Sequence, residues 1–314
     1  MEPAGIVRPS HTAQTAGKPM RALRPPRGGR ERNTLAHLVL ILCSITMLFP
    51  FLWMLLSSFK TFGESVKVPP VVFPSEIPGK VLSGEEKFSY LFTNYQFLLQ
   101  KITYFWKLYG NTFLLIAGRI VCAVVTSSMA GYAFAMLEFP FKRLLFAIVL
   151  LQLMLPSQIF LVPQFKMVLS LKWNNTVLGL IFPGLVSAFG IFFMRQFYRS
   201  LPKELAEAAY LDGCNQWQIF TRIMLPLTKT PLMALSIFTA IFAWSDLMWP
   251  LIVNSDSQMG TLSSALSKIQ LMNTVFRTPH YMAAALLAML PMIVLYILFQ
   301  RQFIEGVAQT GIKS

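Results

Sequence analysis

Residues 204–226, ELAEAAYLDGCNQWQIFTRIMLP, form a polar, patterned stretch between two long apolar segments. Their local grammar is helix, sharp turn, helix. Pro202 suits a first helical turn, where its missing N–H is not needed and its φ is preset. Residues 203–212 are good helix formers, and Gly213 suits the left-handed residue that closes a helix. A second helical stretch, 215–224, is predicted to stop before Pro226, whose ring obstructs the preceding turn. Ala208 and Ala209 carry little bulk, so another protein's surface can approach closely, and Glu204 and Glu207 offer charge for docking. An ordinary amphipathic surface helix would carry the same residues. Within the stretch, Glu207-Ala208-Ala209 is followed by Asp212-Gly213 and then by Ile223, Leu225 and Pro226.

Outside this loop the chain is short of solvent-facing surface. Of its 314 residues 55% are hydrophobic and 13% charged, against about a quarter charged in a typical soluble domain. Windows 35–59, 144–165, 176–194 and 281–299 hold no charged residue, and 111–137 and 231–253 hold one each, Arg119 and Asp246. Each is about the length that crosses a bilayer as a helix. The sequence therefore predicts an all-α integral membrane protein with six transmembrane helices. Residues 34–314 form the membrane domain, and 200–226 form a loop on the cytoplasmic side.

The formal net charge of +14 raises the question of nucleic acid, but the basic residues are scattered among apolar spans without interleaved aromatics on one face. Topology explains them better. With six spans and the amino terminus inside, 16 Lys and Arg fall on the cytoplasmic side and 10 outside, and 11 of the 13 arginines are inside. That bias has the sign of the positive-inside rule and puts both termini in the cytoplasm. Residues 1–33, with five prolines and a run of arginines, read as a disordered basic tail. The 35–59 segment is too long for a signal peptide and reads as a retained first span. Cys43, Cys122 and Cys214 lie far apart, which argues against disulfide or metal use.

About fifty residues follow the first span on the extracytoplasmic side. Their aromatics, from Phe88 to Trp106, suit an interfacial helix at headgroup level. A short inside turn, 138–143, links the second and third spans. The loop 254–280 is long enough to hold a helix around 262–271 and is a candidate for function. Ser127/Gly131 and Ala284/Ala288 have the small-residue spacing that lets helices approach in lipid. Pro50, Pro156, Pro163, Pro183, Pro250 and Pro291 fall within or at the ends of spans, where they can bend them.

Catalytic chemistry is poorly supplied. His11, His37 and His280 are isolated, and no HExxH, GxSxG or CxxC pattern is present. The tail 306–314 resembles a phosphate loop, but Ile312 intrudes before Lys313 and no helix follows to receive phosphates. Intramembrane charge is the better pointer, because such groups are costly to hold in a bilayer. Asp246, close to Trp244 in the outer half of the fifth span, would meet a ligand hydroxyl, a neighbouring helix, a partner subunit or water. Arg119 would snorkel to the outer interface.

The spacing in 204–226, with FYRSLPKEL at 197–205, FAWSDLMWPLIV at 242–253 and QRQFIEG at 300–306, resembles the carbohydrate-uptake permeases of bacterial ABC importers, of the MalG type. The resemblance covers residues 35–314; the long basic tail before residue 34 departs from it. It implies the type I ABC importer permease fold, with Glu204, Glu207, Ala208, Ala209, Asp212, Gly213, Leu225 and Pro226 in the segment that couples to an ATPase. It also implies a second, different permease subunit, two ATPase subunits that hold ATP and Mg, and an extracytoplasmic solute-binding protein. No cofactor is implied in this chain, no catalytic role and no nucleic acid. Trp244 and Asp246 become candidates for the translocation pathway, Lys268 and Arg277 for docking the binding protein, and residues from Arg301 onward for contact with the ATPase. The location implied is a bacterial or archaeal plasma membrane. The cargo implied is a di- or oligosaccharide, with glycerol-3-phosphate or a polyol as the alternative. An ion-coupled secondary transporter would instead be expected to show internal repeats and several midplane charges, and an intramembrane enzyme a catalytic pair.

Overall fold

In the computed structural model, which describes residues 29–272 and 277–311, every regular element is a helix. The chain divides into two units at residues 51 and 52, inside the first long helix, α1 (Gly29–Ser58). In the first unit, every described side chain from His37 to Phe51 is exposed, although most are apolar. Such a surface suits lipid, which satisfies apolar side chains while the helix satisfies its own backbone. Of the basic tail expected over 1–33, residues 1–28 lie outside the described residues and 29–33 open α1. Segment 273–276 and residues 312–314, which carry the end of the phosphate-loop resemblance, also lie outside.

The second unit holds the core. From residue 105 onward its helices include α2 (Phe105–Met136), α3 (Lys142–Met154), α4 (Leu161–Ser170), α5 (Val177–Ile181), α6 (Ala188–Ser200), α7 (Glu204–Leu211), α8 (Lys229–Ser245), α9 (Met248–Val253), α10 (Leu262–Met272) and α11 (Thr278–Gly311). Three helical stretches are continuous and apolar enough to cross a membrane: 36–58, 105–136 and 278–300. Three bent pairs raise the total to six if each is one crossing. They join 142–154 to 157–170 at 106°, 177–184 to 188–200 at 47°, and 216–227 to 229–245 at 76°.

The bends fall where the backbone is interrupted. Leu155, before Pro156, is extended (φ −86°, ψ 135°), because a proline disfavours the helical region for its predecessor. Ser187 restarts α6 by accepting from Gly190 N at 3.0 Å. The window 231–253 is likewise broken. α8 ends at Ser245, and Asp246 is extended before α9 begins.

α2 and α6 approach closely through small residues, as the Ser127/Gly131 spacing predicted. A Cβ on Gly131 would lie 2.7 Å from Met194 Cβ, and one on Gly190 would lie 2.2 Å from Ser127 Oγ. Ala284 is buried with Leu98, Phe105, Leu108 and Leu262. Phe105 is only 1% exposed, so it belongs to the core rather than the aromatic belt, and α2 begins earlier than residue 111. Trp106, next to it, stays exposed.

Outside the spans a polar clasp fixes the chain after α1. Glu64 is buried and accepts from Ser75 Oγ at 2.6 Å, Ser75 N at 2.7 Å, Glu76 N at 2.9 Å and Thr61 N at 3.2 Å. Burial pushes its carboxyl pKa up, but these donors together outweigh that, and it titrates below the usual value. Asn94 Nδ2 donates to Ser58 O at 2.7 Å and Lys60 O at 2.9 Å.

Candidate functional site: a helical loop and a buried ion pair

The helix–turn–helix predicted for 203–226 is present. α7 begins with Glu204 and Glu207, which suit the positive end of the helix dipole. It closes on Gly213 at φ +85°, with Cys214 N donating to Ala209 O and Gly213 N to Tyr210 O, each at 3.0 Å. Asn215 opens the next helix through a reciprocal capping box with Gln218, both bonds at 2.9 Å.

The predicted stop before Pro226 does not occur. The helix widens to a π turn over Ile219–Met224 and runs on through Leu225–Leu227 to Thr228. A π turn shifts the hydrogen bonds by one residue, and this is how the chain accommodates a proline without an N–H. Leu225 is half-buried and Pro226 exposed.

The two alanines divide. Ala208 is exposed, but Ala209 is 6% exposed and packs with Tyr198, Ile219, Phe220 and Met224. Its small size serves the chain's own core. The outward surface is apolar instead: Tyr210 is 65%, Leu211 86% and Trp217 60% exposed. Sequence reasoning missed these three; the available signal was large apolar residues within an otherwise polar helix pair. It also missed Tyr132, whose hydroxyl donates to Gln216 Oε1 at 3.0 Å and whose ring packs on Tyr198 and Phe220. Tyr132 ties the loop to α2.

The two intramembrane charges meet. Arg119 Nη1 lies 2.8 Å from Asp246 Oδ2, and Arg119 Nη2 donates to Leu180 O at 3.1 Å. Arg119 is 8% exposed, so it does not snorkel. A buried guanidinium is held more cheaply by a carboxylate in reach than by stretching to an interface. Gly184 makes room for its stem, since a Cβ there would lie 2.4 Å from Arg119 Cγ. Asp246 also accepts from Trp249 N at 3.3 Å, and Trp249 Nε1 donates to Gly179 O at 2.9 Å. The pair borders a cavity of about 590 Å³ that also receives Gln152, Gln158, Gln164 and Ser245. Trp244 lies off that wall, against Phe113.

At the other end of α2, α10 forms over 262–272 as predicted. Lys268 Nζ donates to Asn254 O at 3.1 Å, which spends one of its donors inside the chain. Arg277 is exposed, with its guanidinium 4.7 Å from the Phe62 ring centroid. The loop is anchored on α2 by Asn111, which donates to Gln258 O at 2.8 Å and Gly260 O at 3.0 Å. Side chains from Arg301 onward lie outside those described, and the ATPase contact expected there falls on them. Among the described residues no group of three or more His, Cys, Asp or Glu is placed to hold a metal ion.

A family model described as "Binding-protein-dependent transport system inner membrane component" matches residues 123–309. The chain is 32% identical over 274 residues to the arabinooligosaccharides transport system permease protein AraQ of Halalkalibacterium halodurans, covering 85% of this chain and 91% of that protein. It is 30% identical over 285 residues to the sn-glycerol-3-phosphate transport system permease protein UgpE of Brucella suis, covering 88% and 96%. Its fold matches the crystal structure of a bacterial ABC transporter involved in the import of the acidic polysaccharide alginate, with a TM-score of 0.69, 20% identity, and 91% of this chain and 100% of that one covered. The helices, the loop between α6 and α8 and these likenesses agree: the chain belongs to the family of binding-protein-dependent transport system inner membrane components, as a multi-pass permease of an ABC importer.

Proposed function

We propose that this chain is one of two different permease subunits that together carry a di- or oligosaccharide inward, received from an extracytoplasmic binding protein. Two ATPase subunits, which hold ATP and Mg, power the movement. The observation that carries this reading is the 204–227 helix pair, capped at both turns and presenting Tyr210, Leu211 and Trp217 beside Glu204, Glu207 and Asp212. An exposed apolar group ringed by charge is what a protein–protein contact needs. Closure of the ATPases around ATP draws the two coupling loops together, and Ala209 and Gly213 pass that movement into the helices. Reversing a population from 1:99 to 99:1 takes about 5.5 kcal/mol of differential binding. The loop side, and with it both termini, faces the cytoplasm.

The cavity at Arg119 and Asp246 is the candidate pathway wall. Its glutamines and Ser245 offer both donors and acceptors, which suits sugar hydroxyls. The UgpE likeness keeps glycerol-3-phosphate as a second reading. Against it, Arg119 is already neutralised by Asp246, leaving a phosphate dianion without a free cation on that wall. Arg277, exposed on the far side, is the better candidate to meet the binding protein.

A thermal-shift screen of the cognate binding protein against arabino-oligosaccharides, other disaccharides and glycerol-3-phosphate tests the cargo. ATP-dependent uptake of the hit by the reconstituted complex then tests the machine. Uptake that runs on a proton gradient without ATP would overturn the proposal.

A further inference from the structure

A second cavity, of about 760 Å³, lies where the 137–141 turn and the end of α6 meet, next to the coupling loop. Five cations line it, Lys142, Arg143, Arg195, Arg199 and Lys203, against one carboxylate, Glu138. Glu138 is already engaged: Lys142 Nζ lies 3.0 Å from its Oε1 and donates to Leu137 O at 2.6 Å. Among the described residues, no acidic group lies within ion-pair distance of the other four.

Arg195 is half-buried and fixed in place. Its Nε donates to Phe134 O at 3.1 Å, and its guanidinium lies 3.9 Å from the Phe146 ring centroid. Its other N–H groups are left for whatever enters the cavity. Cations that merely mark a membrane boundary spread outward into water. These instead share one cavity, where their mutual repulsion falls when an anion with several oxygens arrives.

The kind of anion follows from α3. This helix starts at the cavity with Lys142 and Arg143, and none of its residues is buried. Leu144, Leu145, Ile148 and Leu151 are all exposed along it, and Phe141 is 75% exposed at the cavity rim. That strip faces lipid whatever fills the cavity, and a phospholipid is the ligand that places an anion among the cations while its own chains lie on the strip. We propose that the cavity is a headgroup site for an anionic phospholipid, whose phosphate oxygens meet Arg143, Arg195 and Arg199 and whose acyl chains lie along α3.

Native mass spectrometry of the full chain, offered equal phosphatidylglycerol and phosphatidylcholine in detergent, tests this. Phosphatidylglycerol is expected to be retained preferentially, and Arg143→Gln with Arg199→Gln to lower its retention about thirtyfold. Both residues are exposed, so the fold survives the change, which size exclusion checks. Lys203→Gln, also exposed, adds a smaller loss. Equal retention of the two lipids, or unchanged retention in the double variant, would overturn the proposal. So would inorganic phosphate raising the melting temperature as much as phosphatidylglycerol does, which marks a soluble-anion site. A double variant that loses the ATPase subunits while keeping its lipid would assign the cations to a protein partner and overturn it equally.

Discussion

The two loops at opposite ends of α2 are held by different chemistry. The 204–227 loop rests on an apolar cluster in which Met194, Tyr198, Ile219 and Met224 are no more than 1% exposed. Among the described residues of the 254–272 loop, Leu262 alone is buried in an apolar cluster, and the 254–260 half hangs on amide hydrogen bonds: Asn111 to Gln258 and Gly260, Asn254 to Met259, and Asn175 to the Ser255 and Asp256 amides. Packed side chains at interior density resist deformation in every direction. Hydrogen bonds fix a register and can be exchanged one for another. The first arrangement suits a lever that must pass on a push, the second a surface that must meet and release a partner.

This contrast can be broken or sharpened by substitution. Met224→Ala removes a buried anchor beneath the lever and is expected to cost about 3 kcal/mol, read as a lower melting temperature of the purified chain. ATP hydrolysis should persist in the assembled complex while uptake falls. Asn111→Ala, at the polar end, is expected to cost about 2 kcal/mol by stranding the Gln258 and Gly260 carbonyls. It should weaken binding-protein docking and leave ATPase association unchanged, measured by pull-down of each partner. If both variants fail in the same step, the contrast is wrong.

Gly213→Asp forces a side chain to φ +85°, at about 1 kcal/mol, with no atom within 4 Å of the new Cβ. The protein should insert and fold, yet show reduced ATP-driven uptake, and normal uptake would remove Gly213 from the coupling role. The smallest effect is at Glu64. Its depressed pKa contributes stability that is present above the unfolded value, about 4.3, and is lost as pH falls through the folded one. Glu64→Gln should therefore flatten the fall in melting temperature below about pH 4.3, and an unchanged slope there would mean that the clasp does not titrate.

Much of this was legible in sequence because it is local. Gly213 as a left-handed cap and α10 inside 254–280 follow from neighbours a few residues apart. What was not legible depends on what lies across the fold. Nothing local tells Ala208 from Ala209; the Tyr198 and Phe220 rings decide which is inside. Pro226 looked like a stop because the π turn that accommodates it uses bonds that the pattern does not encode. Arg119 and Asp246 each read as a lone charge, since their 2.8 Å contact joins α2 to the break between α8 and α9, far apart in sequence.

That pair also orders the making of the protein. Arg119 enters the membrane early in translation, long before Asp246 has been added to the chain. Until then α2 carries an uncompensated guanidinium within the bilayer, at about 2.5–3.5 kcal/mol on insertion scales. The first half of the protein is thus a provisional structure, completed when the segment bearing Asp246 arrives. A chain truncated before that segment should leave α2 poorly seated and exposed to membrane proteases.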